Sequence, residues 1–540
     1  MEGLRVVRCG NRRGFLWLQQ NARVEKSLLI RVLPSTSPQN MLETVDFPIL
    51  LVPLICLCLY LYMFYNPRLS IPPGPKPLPL LGNILSIPTH RPWETYALWA
   101  HKYKTDIVSV QALGHLTLVV NTIEAAKEMF ERRSGIYSDR PRIPMVYLME
   151  WDFNIALMPY SDGWRMRRKM LHQFLHSGAA TQYRPLQKKS AVKLMKLLNT
   201  SPESFADHVK YFSGSIVMSI AYAHDIAESG DRYVDIAERA FEKLSGAMFP
   251  GAAVVNALPI LRHLPKWFPG AGFKTHAEEC IMLTRKMRHV PFEAVKRSMV
   301  SSPLNDSELV GDEAKGGDET EAVAIMDAAA LAYAGGTDTT VSSINFAILA
   351  LVLHPEVQRR AQAEIDSVVG RERLPDFEDS LPYIEALCRE ASRWGVVTPL
   401  GGVRCAYRDD VYRGWNIPKG TVIFFNSWAM LHNPVKYPDP DSFKPERFFK
   451  DDGTLNDDDV QAAFGFGRRV YSGQYLARAS IWIMVACTLA LFDIEPAKDA
   501  TGHEIPIRVD YTNGSISHPL PFECCIRPRD KKAEKLIQGL

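Results

Sequence analysis

Phe464-Gly465-Phe466-Gly467-Arg468-Arg469-Val470-Tyr471-Ser472-Gly473 runs directly into an apolar helical stretch at 474–491. Three glycines and two adjacent arginines in ten residues mark a loop rather than the start of that helix. Outward from this loop the pattern stays helical. Stretches at about 163–200, 205–228, 318–352, 355–369 and 382–394 carry it. Strand-like runs are short and few, at 107–111, 117–121 and 421–426. Helices with a minor share of strands predict a mostly α fold with a small β-sheet region. Residues 85–540 show no repeat and no internal linker, so they read as one body. The span 301–320 holds Ser301, Ser302, Pro303, Asp306, Gly316 and Gly317 and reads as an exposed loop.

The chain has 540 residues, long enough for a large core in one or two domains. Its 46% hydrophobic and 23% charged residues are ordinary for a globular protein. A net charge of +3 argues against general nucleic-acid binding, which needs a strongly basic domain. Nine cysteines are scattered without a Cys-x-x-Cys pair, which speaks against a zinc site or a disulfide framework.

Ahead of the body lies an uncharged run, 47–65, of 19 residues. At the helical rise it spans roughly 28 Å, close to a bilayer core. It predicts a single-pass transmembrane anchor; a buried helix and a cleaved signal peptide are the alternatives. Residues 1–40 form an atypical basic extension with Arg5, Arg8, Arg12, Arg13, Arg23 and Arg31. A start at Met41 would place a short acidic leader in the lumen and the body in the cytosol. Residues 70–84 carry Pro72, Pro73, Pro75, Pro77 and Pro79, which favour a stiff extended hinge.

Four further clusters carry chemistry. Gly335 and Gly336 sit inside a helix, where each costs about 1 kcal/mol against alanine. That cost points to a close approach to the backbone. Asp338 and Thr339 follow, an acid and a hydroxyl able to relay protons, or merely a kink with local capping. Glu390 and Arg393 share a helical face, as a surface bridge or as part of a network with Arg447 in Pro445-Glu446-Arg447-Phe448. Trp164 and Arg168, four apart, also share a face. Arg165, Arg167 and Lys169 make the same helix strongly basic, either a solvated face or a docking surface for an acidic partner. The apolar loop around Leu258, Ile260, Trp267 and Phe268 is either lipid-facing or an ordinary buried loop.

Together these motifs, in this order, resemble the cytochrome P450 family, and fungal microsomal members most. That family's loop reads Phe-x-x-Gly-x-Arg-x-Cys-x-Gly; Phe464, Gly467, Arg469 and Gly473 match it. The resemblance implies the mostly α cytochrome P450 fold behind an N-terminal anchor, with haem (iron protoporphyrin) as cofactor. It implies oxygen insertion into an apolar small molecule, with electrons from NADPH through a flavoprotein reductase. By resemblance Gly335 and Gly336 leave room for dioxygen, Thr339 steadies it and Asp338 passes protons. Trp164, Arg168 and Arg469 would reach a haem propionate, and Glu390, Arg393 and Arg447 would form a buried structural ion network. Endoplasmic reticulum membrane, with the body facing the cytosol, is the implied location.

Tyr471 departs from the family, because it occupies the position of the axial cysteine. A thiolate pushes electron density onto the iron, and a phenol does not copy this, although tyrosinate ligates haem in catalases. The tyrosine oxygen lies roughly 6.5 Å from its Cα against roughly 2.8 Å for a cysteine sulfur. In a loop shaped for cysteine the ring would take space the porphyrin needs. Cys487 is more than four helical turns away. The expectation is impaired monooxygenase activity. The alternatives are a tyrosinate-ligated haem protein with peroxidase-like activity and a catalytically dead, membrane-anchored binding protein. Tyr471, Ser472, Gln474, Tyr475 and Cys405 each stand one C-to-T or G-to-A change from the family's common residue. That pattern suggests decay of a duplicated gene by directional cytosine mutation.

Overall fold

The computed structural model describes residues 70–79, 81–248, 254–300 and 319–540, together with 53, 54, 56 and 57. The extension 1–40, nearly all of the expected anchor and residues 301–318 lie outside the described residues.

The body begins with α1 (Pro92–Tyr103), then β1 (Ile107–Ala112) and β2 (His115–Val120). Helices α2 (Asp162–Leu175), α3 (Arg184–Thr200), α4 (Phe205–Tyr222), α5 (Arg232–Met248) and α6 (Gly272–Val300) follow. Next come α7 (Glu319–Leu353), α8 (Pro355–Val368) and α9 (Pro382–Trp394). Strands β3 (Arg404–Cys405), β4 (Asp410–Tyr412), β5 (Trp415–Ile417) and β6 (Val422–Phe425) precede α10 (Gln474–Leu491). The chain ends in β7 (Phe492–Pro496), β8 (Cys524–Pro528) and α11 (Lys531–Gly539).

One sheet has the order β1-β2-β6-β3. β1 and β2 are antiparallel, with Ile107 opposite Val120, whereas β2 and β6 are parallel, with Thr117 opposite Val422. A parallel pair needs a long crossover. Here the crossover is most of the helical body, so the sheet clasps the helices from one side. β4–β5 and β7–β8 are separate two-stranded sheets.

α7 is the axle of the fold. Its 35 residues span about 52 Å at 1.5 Å per residue. α7 and α10 are both long and apolar enough to cross a membrane, yet 67% and 61% of their most apolar windows are buried inside the protein. Ile344, Phe346, Ala347 and Leu349 of α7 share one core cluster with Phe212 of α4, Leu387 of α9 and Met484 of α10. These two helices are therefore core elements, apolar all round because protein surrounds them.

The expected stretch 163–200 is two long helices with short helical turns between them. His176 ends α2 in an extended conformation, its Nδ1 accepting from the Gly178 and Ala179 N–H groups, and Pro185 opens α3. The expected 205–228 helix stops at Tyr222, where Ala223 turns left-handed at φ 48°. The Pro-rich segment lies along β1. The Ser109 N–H donates to the Pro73 carbonyl at 3.0 Å, and the Asn83 amide donates to Pro75 at 3.0 Å. Gly74 is needed there, since a Cβ would lie 1.9 Å from the Ser109 carbonyl oxygen.

Candidate active site

The loop 464–473 is held from three directions. Phe466 is fully buried against Phe130 and Phe425. Gly467 has φ 55°, and a Cβ on it would meet the Phe130 carbonyl oxygen at 2.0 Å, so only glycine fits. The Tyr471 N–H donates to the Phe464 carbonyl at 2.9 Å and closes the turn. The Gly467 and Phe464 positions thus build a loop that presents residue 471 towards α7.

On α7 the Thr339 hydroxyl donates to the Gly335 carbonyl at 2.9 Å, and Thr340 donates to Gly336 at 2.7 Å. Asp338 faces a different neighbour, His518, with Nε2 3.3 Å from its carboxylate. The Tyr471 hydroxyl crosses from the loop and donates to the same Gly335 carbonyl at 3.3 Å. Burial raises its pKa, against a smaller opposing effect of the Thr339 hydroxyl. Loop and helix are therefore joined by a neutral phenol. Gly473 is packed beneath it, a Cβ there lying 3.0 Å from the phenol oxygen.

Beside the phenol is a cavity of about 180 Å³, lined by Arg140, Trp164, Arg168, Arg469, Gly335 and Gly336 among others. Arg469 donates to the carbonyls of Ser138, Ile155 and Met158 at 2.8–2.9 Å and lies 4.2 Å from the centre of the Trp164 ring. Burial and the neighbouring guanidiniums of Arg140, Arg404 and Arg168 push it down to about 8. Burial pushes Arg140 down to about 10, and its Nε and Nη1 have no partner. Arg404 donates one N–H to Phe466 at 2.7 Å, and its Nε and Nη1 are likewise unpaired. Guanidinium stays charged in proteins. Arg140 and Arg404 are thus buried, and Arg168 and Arg469 half-buried, cations gathered in one region.

Trp164, Arg168 and Arg469 line the same cavity, together with Arg140, which sequence reasoning did not single out, as it did not single out Arg404. The sequence signal for Arg404 was its place beside Cys405, whose own side chain merely packs in β3 against Ala406. Arg140 sits in an irregular segment with no periodic pattern to flag it. The Trp164 indole N–H donates to the Ile155 carbonyl at 3.1 Å, and its ring packs against Arg469. Arg167 is not part of a docking face, because it pairs with buried Asp327 at 2.7 Å. Arg165 and Lys169 are exposed.

Glu390, Arg393 and Arg447 converge as one unit. Arg393 grips Glu390 with two bonds at 2.7 and 2.8 Å, both side chains being fully buried. Arg447 reaches the same carboxylate at 3.1 Å. Arg393 also donates to the carbonyls of Leu431, Pro440 and Ser442.

These features define a class: a mostly α scaffold, with a glycine loop facing a long central helix and a guanidinium cluster at the edge of the gap. The cytochrome P450 family model matches residues 72–526, and the chain belongs to that family. The chain is 39% identical over 495 residues to cytochrome P450 monooxygenase 208 of Postia placenta, covering 90% of this chain and 96% of the relative. It is 38% identical over 490 residues to cytochrome P450 monooxygenase COX1 of Coprinopsis cinerea, covering 88% and 94%. It is 36% identical over 485 residues to tryptamine 4-monooxygenase of Psilocybe cyanescens, covering 87% and 96%. By family the chain is an oxidoreductase, and the family implies haem.

The residues present fit that group at one end only. The unpaired N–H groups of Arg140 and Arg404 suit the two carboxylates of a porphyrin. The iron end does not fit. The loop offers no sulfur, Cys487 is buried elsewhere against Pro375, and the Tyr471 ring spans the gap. Among the described residues no cluster of three His, Cys, Asp or Glu could hold a metal in its place.

Proposed function

We propose that this chain is a haem monooxygenase in descent and scaffold whose oxygen insertion is impaired, because Tyr471 bars thiolate ligation. One observation carries this reading: the Tyr471 hydroxyl reaches the Gly335 carbonyl at 3.3 Å, so the phenol bridges the gap between loop and helix. The tyrosinate alternative would require the phenol to give up the Gly335 carbonyl to which it donates. The parent reaction would insert oxygen into an apolar small molecule, with electrons from NADPH through a flavoprotein reductase. Arg165 and Lys169 would meet that reductase, and Arg167 would not. An anchor at 47–65 would hold the body on the cytosolic face of the endoplasmic reticulum. Exposed Ile260 and Trp267 support contact with lipid.

The test is the absorption spectrum of the purified full-length chain, reduced and exposed to carbon monoxide. The unaltered chain is expected to lack the thiolate band, and Tyr471→Cys is expected to restore it. A thiolate band in the unaltered protein, or hydroxylation of any compound with reducing equivalents supplied, overturns the reading.

A further inference from the structure

We propose that Asp327 is a coupling centre that makes α2 and α6 answer to one another, and that through α6 it reaches the segment 150–155 at the edge of the candidate site. Tyr471 takes no part in this coupling, so it holds whether or not haem binds.

One carboxylate is shared by two helices. α2 and α6 each pack on α7, and Asp327 of α7 sits between them, 1% exposed. Its Oδ2 accepts from Arg167 of α2 at 2.7 and 3.2 Å. Its Oδ1 accepts from Arg288 of α6, with Nε at 3.0 Å. Both guanidiniums are mostly buried, so salt and solvent screen them little. A buried charge that loses its partner is strongly unfavourable. Loss of either arginine still leaves Asp327 one cation, whereas loss of both strands it. The two contacts are therefore not independent, and that dependence couples the helices.

α6 passes the constraint on. The Arg288 guanidinium lies 4.5 Å from the centre of the Phe153 ring, which stacks on Trp151 at 5.4 Å. About one turn earlier Arg285 grips Glu150, with Nε 2.7 Å from the carboxylate. The segment 150–155 thus rides on α6 at two points. At its far end the Ile155 carbonyl accepts from Arg469 at 2.8 Å and from Trp164 at 3.1 Å. Trp164 belongs to α2, as Arg167 does. The contacts close a ring: α2, Asp327, α6, the segment 150–155, and α2 again. Contiguous contacts of this kind carry energetic coupling between elements. Arg165 and Lys169 face outward on either side of Arg167, so whatever binds them acts on the same ring.

The experiment is hydrogen exchange read by mass spectrometry on the purified full-length chain and its Arg167→Gln, Arg288→Gln and Arg165→Gln variants. Arg167→Gln, on α2, should speed exchange in α6 around Arg288 and in 150–155 by about fivefold or more. Arg288→Gln, on α6, should do the same in α2, because coupling is reciprocal. Arg165→Gln, exposed on α2, should leave α6 unchanged. α9 and α10 should keep the unaltered rate in all three variants. Arg167→Gln combined with Arg288→Gln should lower Tm by about 2 °C or more beyond the sum of the single losses. Where Arg167→Gln yields no folded protein, Arg167→Lys replaces it, and the same exchange pattern is required. Faster exchange confined to the helix that carries the substitution overturns the proposal. So does an equal rise in α9 and α10, which marks general loosening, and so does strict additivity of the Tm losses.

Discussion

At residue 471 two properties of the phenol act separately. Its ring fills the gap between the loop and α7, and its hydroxyl ties that ring to Gly335. Tyr471→Phe keeps the ring and loses only a long neutral hydrogen bond. The expected cost is about 1 kcal/mol or less, because the freed Gly335 carbonyl still accepts from Thr339 at 2.9 Å. Urea unfolding followed by far-UV circular dichroism measures this, and a loss above about 2 kcal/mol would mean that the hydroxyl matters more than the ring. Tyr471→Cys removes the ring, and without haem it should lose about 3 kcal/mol through the cavity left behind. Adding haem should recover stability in this variant and leave the unaltered chain unchanged. The same melts report whether the slot opens when the phenol is gone.

Among elements, the buried ion clusters decide how the helices hold the loop. Glu390 on α9 accepts from Arg393, Arg447 and the Lys444 N–H at once. Glu390→Gln strands two guanidiniums, one fully buried and one nearly so. A loss of about 3–5 kcal/mol is expected in equilibrium unfolding. Asp327 does the same service between α2, α6 and α7: Arg167 and Arg288 clasp it from opposite helices, and it is 1% exposed. Asp327→Asn should cost about 3 kcal/mol, with hydrogen exchange faster first in α2 and α6. His432, stacked on Trp428 beside the α9 network, adds a pH dependence. Burial, helped by the Arg393 charge, pushes it down to about 3. The folded protein therefore keeps it neutral while the unfolded chain protonates it below about 6.5. Stability that is full above about pH 6.5 should fall as pH drops towards 3, by up to about 1.4 kcal/mol per pH unit from this group. His432→Gln should flatten that limb in a series of urea melts between pH 7 and pH 4.

Over the whole molecule, what was legible in the sequence was whatever repeats with a period or carries a fixed spacing. α9 and α10 were bounded by Pro382 and by the glycine loop, so their limits were readable to the residue. α5 and α11 were missed although both are strongly amphipathic, and in α6 Pro291 interrupts the pattern. The shared face of Trp164 and Arg168 was readable from spacing, and Arg469 was joined to them through the family resemblance. Arg140 and Arg404 were not, because it is the fold that brings them together from distant segments. The position of Tyr471 was plain in the sequence, but its acceptor on α7, 136 residues away, is brought to it only by the fold. That acceptor leads to a prediction about the entire fold. A chain that had merely lost its axial ligand would keep an open slot and depend on haem for stability. Here the Tyr471 ring bridges the slot between the loop and α7. The unaltered chain expressed with haem synthesis blocked should therefore fold in full yield, with Tm within about 1–2 °C of the chain made in haem-replete cells. Tyr471→Cys made in the same way should fall by several degrees or aggregate, since its slot is open and its cations are unpaired. Equal Tm losses in both proteins would show that the phenol does not support the fold, and would return Tyr471 to the role of a simple lesion.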